Sequence, residues 1–346
     1  MNPTTMSIVI SSLALGTTIT LSSHHWLLAW MGLEINTLAI IPMMAKQHHP
    51  RAIEATTKYF ITQAVASSLI LFSSINNAWV TGEWSIINLT NTTSVTTMTI
   101  ALSIKMGLAP FHFWLPEVLQ GINMTTGLVL STWQKLAPMA LIYQISSNLN
   151  PTILLTLGLL STLVGAWGGI NQTQLRKIMA FSSIAHLGWM VAISSILPQL
   201  MLLNLAIYLI MTSMMFLSMK TLMTTNMSTL SMLSLKSPTM AAACTITLLS
   251  LGGLPPLSGF MPKWLIIQEL VNQNATTLAT MMAMSALLSL FFYLRLSYTI
   301  SLTSSPNTSN SNIIWYQSMQ NPTMTSASMI LSIMLLPITP LIVNLL

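Results

Sequence analysis

Apolar runs bounded by Pro, Asn and clusters of polar residues follow one another along the whole chain, and each is long enough to read as a helix. The first predicted spans are 3–21, 26–45 and 52–80. The next, 96–120, is broken near Pro110, and 125–145, 151–170, 174–196 and 199–223 follow it. A second broken run covers 238–271 with its interruption around Pro255-Pro256, and 275–302 and 323–346 complete the series. A bilayer demands about 20 apolar residues per helix, and about eleven runs meet that length. The predicted fold is therefore all-α, a polytopic membrane protein of about eleven transmembrane helices in one transmembrane domain, 1–346. A first half of about 24–170 holds the broken helix at 105–120, and a second half of about 174–302 holds the one at 238–271. Helix 323–346 closes the chain, and the longest polar stretch, 303–321, reads as a loop or surface segment.

Composition removes the soluble alternatives. Hydrophobic residues fill 53% of the 346 positions and charged residues 5%, with a mean hydropathy of +0.72. A soluble domain carries about 25% charged residues, and a disordered chain has far less apolar content. The net charge is +6, but the basic residues are scattered and mostly end apolar runs, which gives no surface for nucleic acid. They do orient the chain. Lys46, Arg51 and Lys58 follow the second span, Arg176 and Lys177 the sixth, and Lys220 and Lys236 the eighth, while the loops after the first, third, fifth and seventh have none. Positive charge collects on the interior side, so the N-terminus is expected there and the C-terminus opposite. No basic segment precedes the first span, which is expected to be retained.

Prolines mark a weak internal repeat. Residues 107–117, Gly-Leu-Ala-Pro-Phe-His-Phe-Trp-Leu-Pro-Glu, lie over 253–263, Gly-Leu-Pro-Pro-Leu-Ser-Gly-Phe-Met-Pro-Lys. Gly, Leu and two Pro coincide without a gap. The copies fall in the fourth and ninth spans, which cross in opposite directions. Opposed broken helices at corresponding positions mark an inverted-repeat transporter, with the ion path at the breaks.

Four charges sit where a bilayer penalises them, at about 3 kcal/mol each on insertion scales. Glu34 and Lys135 are mid-span, Lys105 precedes Pro110, and Lys263 follows the second break. Structural ion pairs or snorkelling would be the bland account, although Lys135 has about ten residues on either side of it. The functional account is a relay of titratable groups. Burial disfavours an ammonium and a nearby carboxylate favours it, so a lysine between the two influences can exchange its proton. His112, in the first break, and His186, mid-helix, are either packing residues or relay members. His24-His25 and His48-His49 lie at span ends, without a third ligand cluster for a metal. Glu54 and Lys58 are spaced as a structural i,i+4 pair, and Arg295 is placed to snorkel. Glu117 is an access or connecting group, and Glu269 serves either the path from Lys263 or the end of its span. Cys244 alone builds neither a disulfide nor an iron–sulfur cluster and reads as a buried thiol. The 28 methionines read as adaptable filler. No Gly-x-Gly-x-x-Gly or Walker loop is present to bind a dinucleotide or nucleoside triphosphate.

Four stretches together resemble a known family. They are 105–117 (Lys-Met-Gly-Leu-Ala-Pro-Phe-His-Phe-Trp-Leu-Pro-Glu), 131–138 (Ser-Thr-Trp-Gln-Lys-Leu-Ala-Pro), 181–188 with Ser-Ser-Ile-Ala-His-Leu-Gly, and 251–264. The chain resembles the mitochondrially encoded antiporter-like membrane subunits of respiratory complex I, NADH–ubiquinone oxidoreductase, over its whole length. It looks like the animal form, which lacks three N-terminal helices of bacterial members. The resemblance implies two inverted five-helix units, each with a broken helix, in the proton-pumping membrane arm. It also implies that no cofactor is bound by this chain, because NADH, FMN, the iron–sulfur clusters and ubiquinone belong to other subunits. Partners would be the other membrane-arm core and accessory subunits, in a hetero-oligomer surrounded by phospholipid, with no nucleic acid. The location would be the mitochondrial inner membrane, multi-pass, with the N-terminus on the matrix side. The family's pump glutamate matches Glu34, the lysine of its first broken helix Lys105, its central lysine Lys135, that of its second broken helix Lys263, and its relay histidine His186. Beyond His186 the chain offers no clear ionisable link between Lys135 and Lys263.

The expected mechanism couples Glu34 to Lys105. Closing that pair holds Lys105 charged and frees Lys135 to deprotonate. Opening it drives charge from Lys135 through water and His186 to Lys263, which releases it on the far side. Two other classes compete, a stand-alone cation/proton antiporter and a structural spacer in the membrane arm.

Overall fold

The computed structural model describes residues 2–47, 49–232, 237–302 and 322–338. Within them lie fifteen α-helices and no strand. Prolines punctuate the chain where their missing N–H costs nothing, at the first helical position. They open α1 (Pro3–Ser22), α3 (Pro50–Thr81), α8 (Pro151–Ile170), α10 (Pro198–Thr221), α12 (Pro238–Gly252) and α15 (Pro322–Met334). The remaining helices are α2 (Trp26–Met44), α4 (Thr92–Met106), α5 (Trp114–Gly121), α6 (Met124–Ser131), α7 (Trp133–Ile145), α9 (Leu175–Ser194), α11 (Met227–Leu230), α13 (Phe260–Asn272) and α14 (Thr276–Ser301). Two histidines of the span ends are N-caps. His25 Nδ1 accepts from the Leu27 N–H, and His49 Nδ1 from the Arg51 N–H, each at 3.2 Å.

Among the described residues, seven helices, α1, α2, α3, α8, α9, α10 and α14, are continuous, long and apolar enough to cross a membrane. The fourth and ninth expected spans are each two helical pieces, α4 with α5 and α12 with α13. The fifth, expected as one helix over 125–145, is also divided, at Thr132 (φ −108°, ψ −71°). Its cause is local. The Leu128 carbonyl accepts from Ser131 Oγ, Thr132 Oγ1 and the Thr132 N–H, and Pro138 disturbs the following turn. Arg295 reaches the end of a neighbouring helix. Its Nη1 donates to the Ile170 carbonyl at 3.0 Å and so satisfies the last carbonyl of α8. His48, Lys236, the polar stretch 303–321 and the final residues 339–346 lie outside the described residues.

Contacts divide the chain into two units. Unit 1 is Met1–Ser161 with Ser194–Pro198, and unit 2 is Thr162–Ile193 with Gln199–Leu346. Each has one helix broken at a glycine cap, and these two breaks share one anatomy. Both first pieces, α4 and α12, have 15 residues. Each ends at a glycine in the left-handed region, Gly107 (φ 77°, ψ 41°) and Gly253 (φ 83°, ψ 43°). In unit 1 the Leu108 N–H reaches back to the Ser103 carbonyl at 3.0 Å, and in unit 2 the Leu254 N–H reaches the Leu249 carbonyl at 3.3 Å. This Schellman cap needs the positive φ that glycine adopts without steric cost. Seven residues then lead to the second piece in both cases.

In unit 1, α1 and α2 cross closely where Gly16 meets Gly32. A Cβ on Gly32 would stand 2.8 Å from the Gly16 carbonyl oxygen. Small residues permit such backbone approach between membrane helices. In unit 2, three methionine sulfurs of α10 accept hydroxyl groups. Met211 takes Ser250 (3.5 Å), Met214 takes Ser328 (3.6 Å) and Met215 takes Thr247 (3.1 Å).

Candidate functional site: buried lysines at two helix breaks

A helix end leaves its last four carbonyls without intrahelical donors. At each break the glycine cap uses the first two, Ser103 and Ile104 in unit 1, Leu249 and Ser250 in unit 2. The last carbonyls are taken by lysine. In unit 1 Lys135, from α7, donates from Nζ to the Met106 carbonyl at 2.6 Å. In unit 2 Lys263, from α13, donates to Gly252 at 2.9 Å and Leu251 at 3.2 Å. Met106 and Gly252 each immediately precede the cap glycine, so the two ammonium groups occupy equivalent positions although they come from different elements. A cation there is favoured twice over, by a charge-assisted hydrogen bond and by the negative end of the helix dipole.

Unit 1 gathers the first group of charges. Lys105 (4% exposed) and Lys135 (2%) line one small cavity with Asn36, Tyr59, Gln63 and Gln134. Lys135 Nζ also lies 5.4 Å from the Trp114 ring centroid, a cation–π contact, and the indole is fixed by its N–H to the Ile104 carbonyl at 3.2 Å. Lys105 Nζ has no hydrogen-bond partner among the described residues. Glu34 is half-buried on α2; its field reaches Lys105, but the two form no ion pair within 4.0 Å. His112 is buried in the first break, its ring 4.2 Å from Phe113, and is not among the cavity residues.

Unit 2 gathers His186 and Lys263. His186 is buried, interacts with the Leu251 carbonyl that Lys263 also uses, and stands 5.6 Å from the Tyr208 ring. Glu269, in the last turn of α13, is half-buried and forms no ion pair among the described residues. Glu54 and Lys58 do pair, at 2.6 Å, but in a triad. Glu117 Oε2 is the third member, also 2.6 Å from Lys58 Nζ, and all three side chains are exposed. Cys244 is buried.

Sequence reasoning missed the neutral polar residues of the unit 1 cavity. Their signal was present, since Asn36, Gln63 and Gln134 interrupt apolar runs, but an amide stands out less than a charge.

The family NADH:quinone oxidoreductase/Mrp antiporter, TM, matches residues 23–289, and NADH dehydrogenase subunit 2 C-terminus matches 290–343. NADH-ubiquinone oxidoreductase chain 2 of Xenopus laevis is 66% identical over 99% of both chains. The chain belongs to the NADH-ubiquinone oxidoreductase chain 2 family. The Scyliorhinus canicula member is 60% identical over 100% of this chain and 99% of its own. Among solved structures, a chain of respiratory complex I from Thermus thermophilus with bound aureothin superposes with a TM-score of 0.85. It is 25% identical, and the match covers 97% of this chain and 78% of that one. A chain of the Mrp complex from Dietzia sp. DQ12-45-1b has the same fold at a TM-score of 0.84, with 17% identity over 96% of this chain and 75% of that one. The all-α antiporter-like architecture is thus common to this chain 2 family member and to both complexes.

Proposed function

We propose that the chain is a proton-translocating membrane subunit of respiratory complex I, in the mitochondrial inner membrane with its N-terminus on the matrix side. Family membership supports the enzyme complex, and the positive loops support the orientation. Electrons pass from NADH to ubiquinone through FMN and iron–sulfur clusters on other subunits, while this chain binds none of these groups and moves protons. The observation that carries the reading is the pair of buried lysines, Lys135 and Lys263, held on equivalent carbonyls at two helix breaks. A permanent structural charge would be matched by a buried carboxylate. Here each ammonium is matched by neutral carbonyls, so its proton can leave without stranding an anion. Glu34, Lys105 and Lys135 are the titrating stations of unit 1, with His112 in the helix break that follows Lys105, and His186 and Lys263 are those of unit 2. Glu34 and Lys105, apart in this structure, close and open as Lys135 takes up and releases its proton.

The test is assembled complex carrying Lys135→Met, with assembly read on a native gel. The side chain keeps most of its length, one atom short, and loses its charge. Quinone-linked NADH oxidation and proton yield are expected to fall together with assembly intact. Unchanged rate and yield would refute the relay and leave a structural spacer. Cation/proton exchange by the isolated chain in vesicles would favour a stand-alone antiporter.

A further inference from the structure

Helix α3 brings Tyr59 and Gln63, one turn apart, onto the wall of the unit 1 cavity with Lys105, Lys135, Asn36 and Gln134. Both are almost fully buried, at 2% and 4% exposure. Neither is a charge, and neither matches a relay position of the family. Buried polar atoms in folded proteins nearly always have partners. Around this cavity several have none among the described residues: Gln63 Nε2, Asn36 Nδ2 and Oδ1, and Lys105 Nζ. Three side chains with open hydrogen-bonding capacity thus border one polar space of about 10 Å³, room for about one water.

Glu34 does not line that space, although Glu34 Oε2 is also buried and has no partner among the described residues. Tyr59 is held edge-on by Trp114, ring centroids 5.8 Å apart, the same indole that faces the Lys135 ammonium. A phenol both donates and accepts. It can take a proton on one lone pair as it gives up its own, and it ends neutral. An amide keeps its protons but orients a water.

We propose that Tyr59 and Gln63 are positioning residues that hold water in the unit 1 cavity, with the Tyr59 hydroxyl linking that water to the two lysines that share the cavity wall. In the balanced step Lys105 gives a proton to the water. The water passes one of its own to the Tyr59 oxygen, and the Tyr59 hydroxyl gives its proton to the neutral Lys135 amine. One N–H and two O–H bonds break, two O–H bonds and one N–H bond form, and only Lys105 and Lys135 change charge. The reverse sequence reloads Lys105. This inference rests on the relay reading above and adds to it the neutral groups that carry the proton between charges.

Tyr59→Phe removes one oxygen atom and keeps the ring against Trp114. It is compared with Gln63→Leu, which keeps the volume and removes the amide, and with Lys135→Met, all in assembled complex. Turnover and proton yield are read in H₂O and D₂O. Tyr59→Phe is expected to assemble normally and to turn over about tenfold more slowly, the effect of one lost hydrogen bond in the transfer step. Its solvent isotope effect is expected to rise, because the proton step becomes limiting, which a packing defect would not cause. Gln63→Leu is expected to act in the same direction. Wild-type rate and isotope effect in both variants, beside a defective Lys135→Met, would overturn this inference alone. Wild-type behaviour of Lys135→Met as well would overturn the relay on which it rests.

Discussion

Gly253→Ala tests whether the break geometry and the Lys263 site are one device. The substitution acts in two ways. It places a Cβ on a residue at φ 83°, which costs about 1–2 kcal/mol for a left-handed L-residue. It also sets that Cβ 2.9 Å from Lys263 Nζ, 3.0 Å from its Cδ and 3.3 Å from its Cε. The ammonium is pinned by two carbonyls at 2.9 and 3.2 Å, so making room means giving up a charged hydrogen bond, worth about 1.5–3 kcal/mol. Gly82 supplies the internal control. It caps α3 at φ 76°, and nothing lies within 4 Å of its Cβ position. Gly82→Ala therefore carries the conformational term alone, about 1–2 kcal/mol, against about 3–5 kcal/mol at Gly253. The assay is thermal inactivation of assembled complex, followed by proton yield on the surviving fraction. Gly82→Ala is expected to shorten the half-life modestly with wild-type yield, and Gly253→Ala to shorten it further and lower the yield. Equal half-lives and equal yields in the two variants would refute the claim that the capped break positions Lys263.

Two further changes probe the supporting structure. Arg295→Met removes the donor that satisfies the Ile170 carbonyl; it is expected to cost about 1–3 kcal/mol, read as faster thermal inactivation with unchanged proton yield per NADH in the intact complex. Gly16→Ala forces a Cβ to 2.5 Å from Asn36 Oδ1 and 2.9 Å from the Gly32 carbonyl oxygen; the overpacking is expected to cost about 1–3 kcal/mol and to reduce assembled complex on native gels, whereas Thr18→Ala on the exposed side of α1 is expected to assemble normally.

The elements legible in the sequence were those written in single residues. Pro3, Pro151 and Pro238 each open both a predicted span and a helix, and Pro50, Pro198 and Pro322 open helices one or two residues ahead of the predicted spans, because the ring fits there without losing a hydrogen bond. The broken helices were legible from Pro110 and Pro255-Pro256, and Lys105, Lys135 and Lys263 from the cost of charge in an apolar run. Acceptors left no such trace. A backbone carbonyl has no letter, so nothing in the sequence says that Lys135 ends on Met106 or that Arg295 ends on Ile170. The division at Thr132 arises from hydroxyl groups bonding back to Leu128, a competition that serine and threonine win in some helices and lose in others. Glu117 read as a connecting group because its partner Lys58 is 59 residues away, beyond any helical spacing rule.

Lys135 and Lys263 also bear on how the two halves may be compared. Matched column by column from the cap glycines, Lys263 falls on Glu117, an exposed member of a surface triad, and Lys135 falls on Met281, which is exposed. Matched by the carbonyl each side chain touches, Lys135 and Lys263 fall on one another. What the two halves share is the receptor, the last carbonyl before the glycine, while the segment that supplies the cation differs. Equivalence of role between the halves is therefore traced through the main chain and not through the side-chain columns.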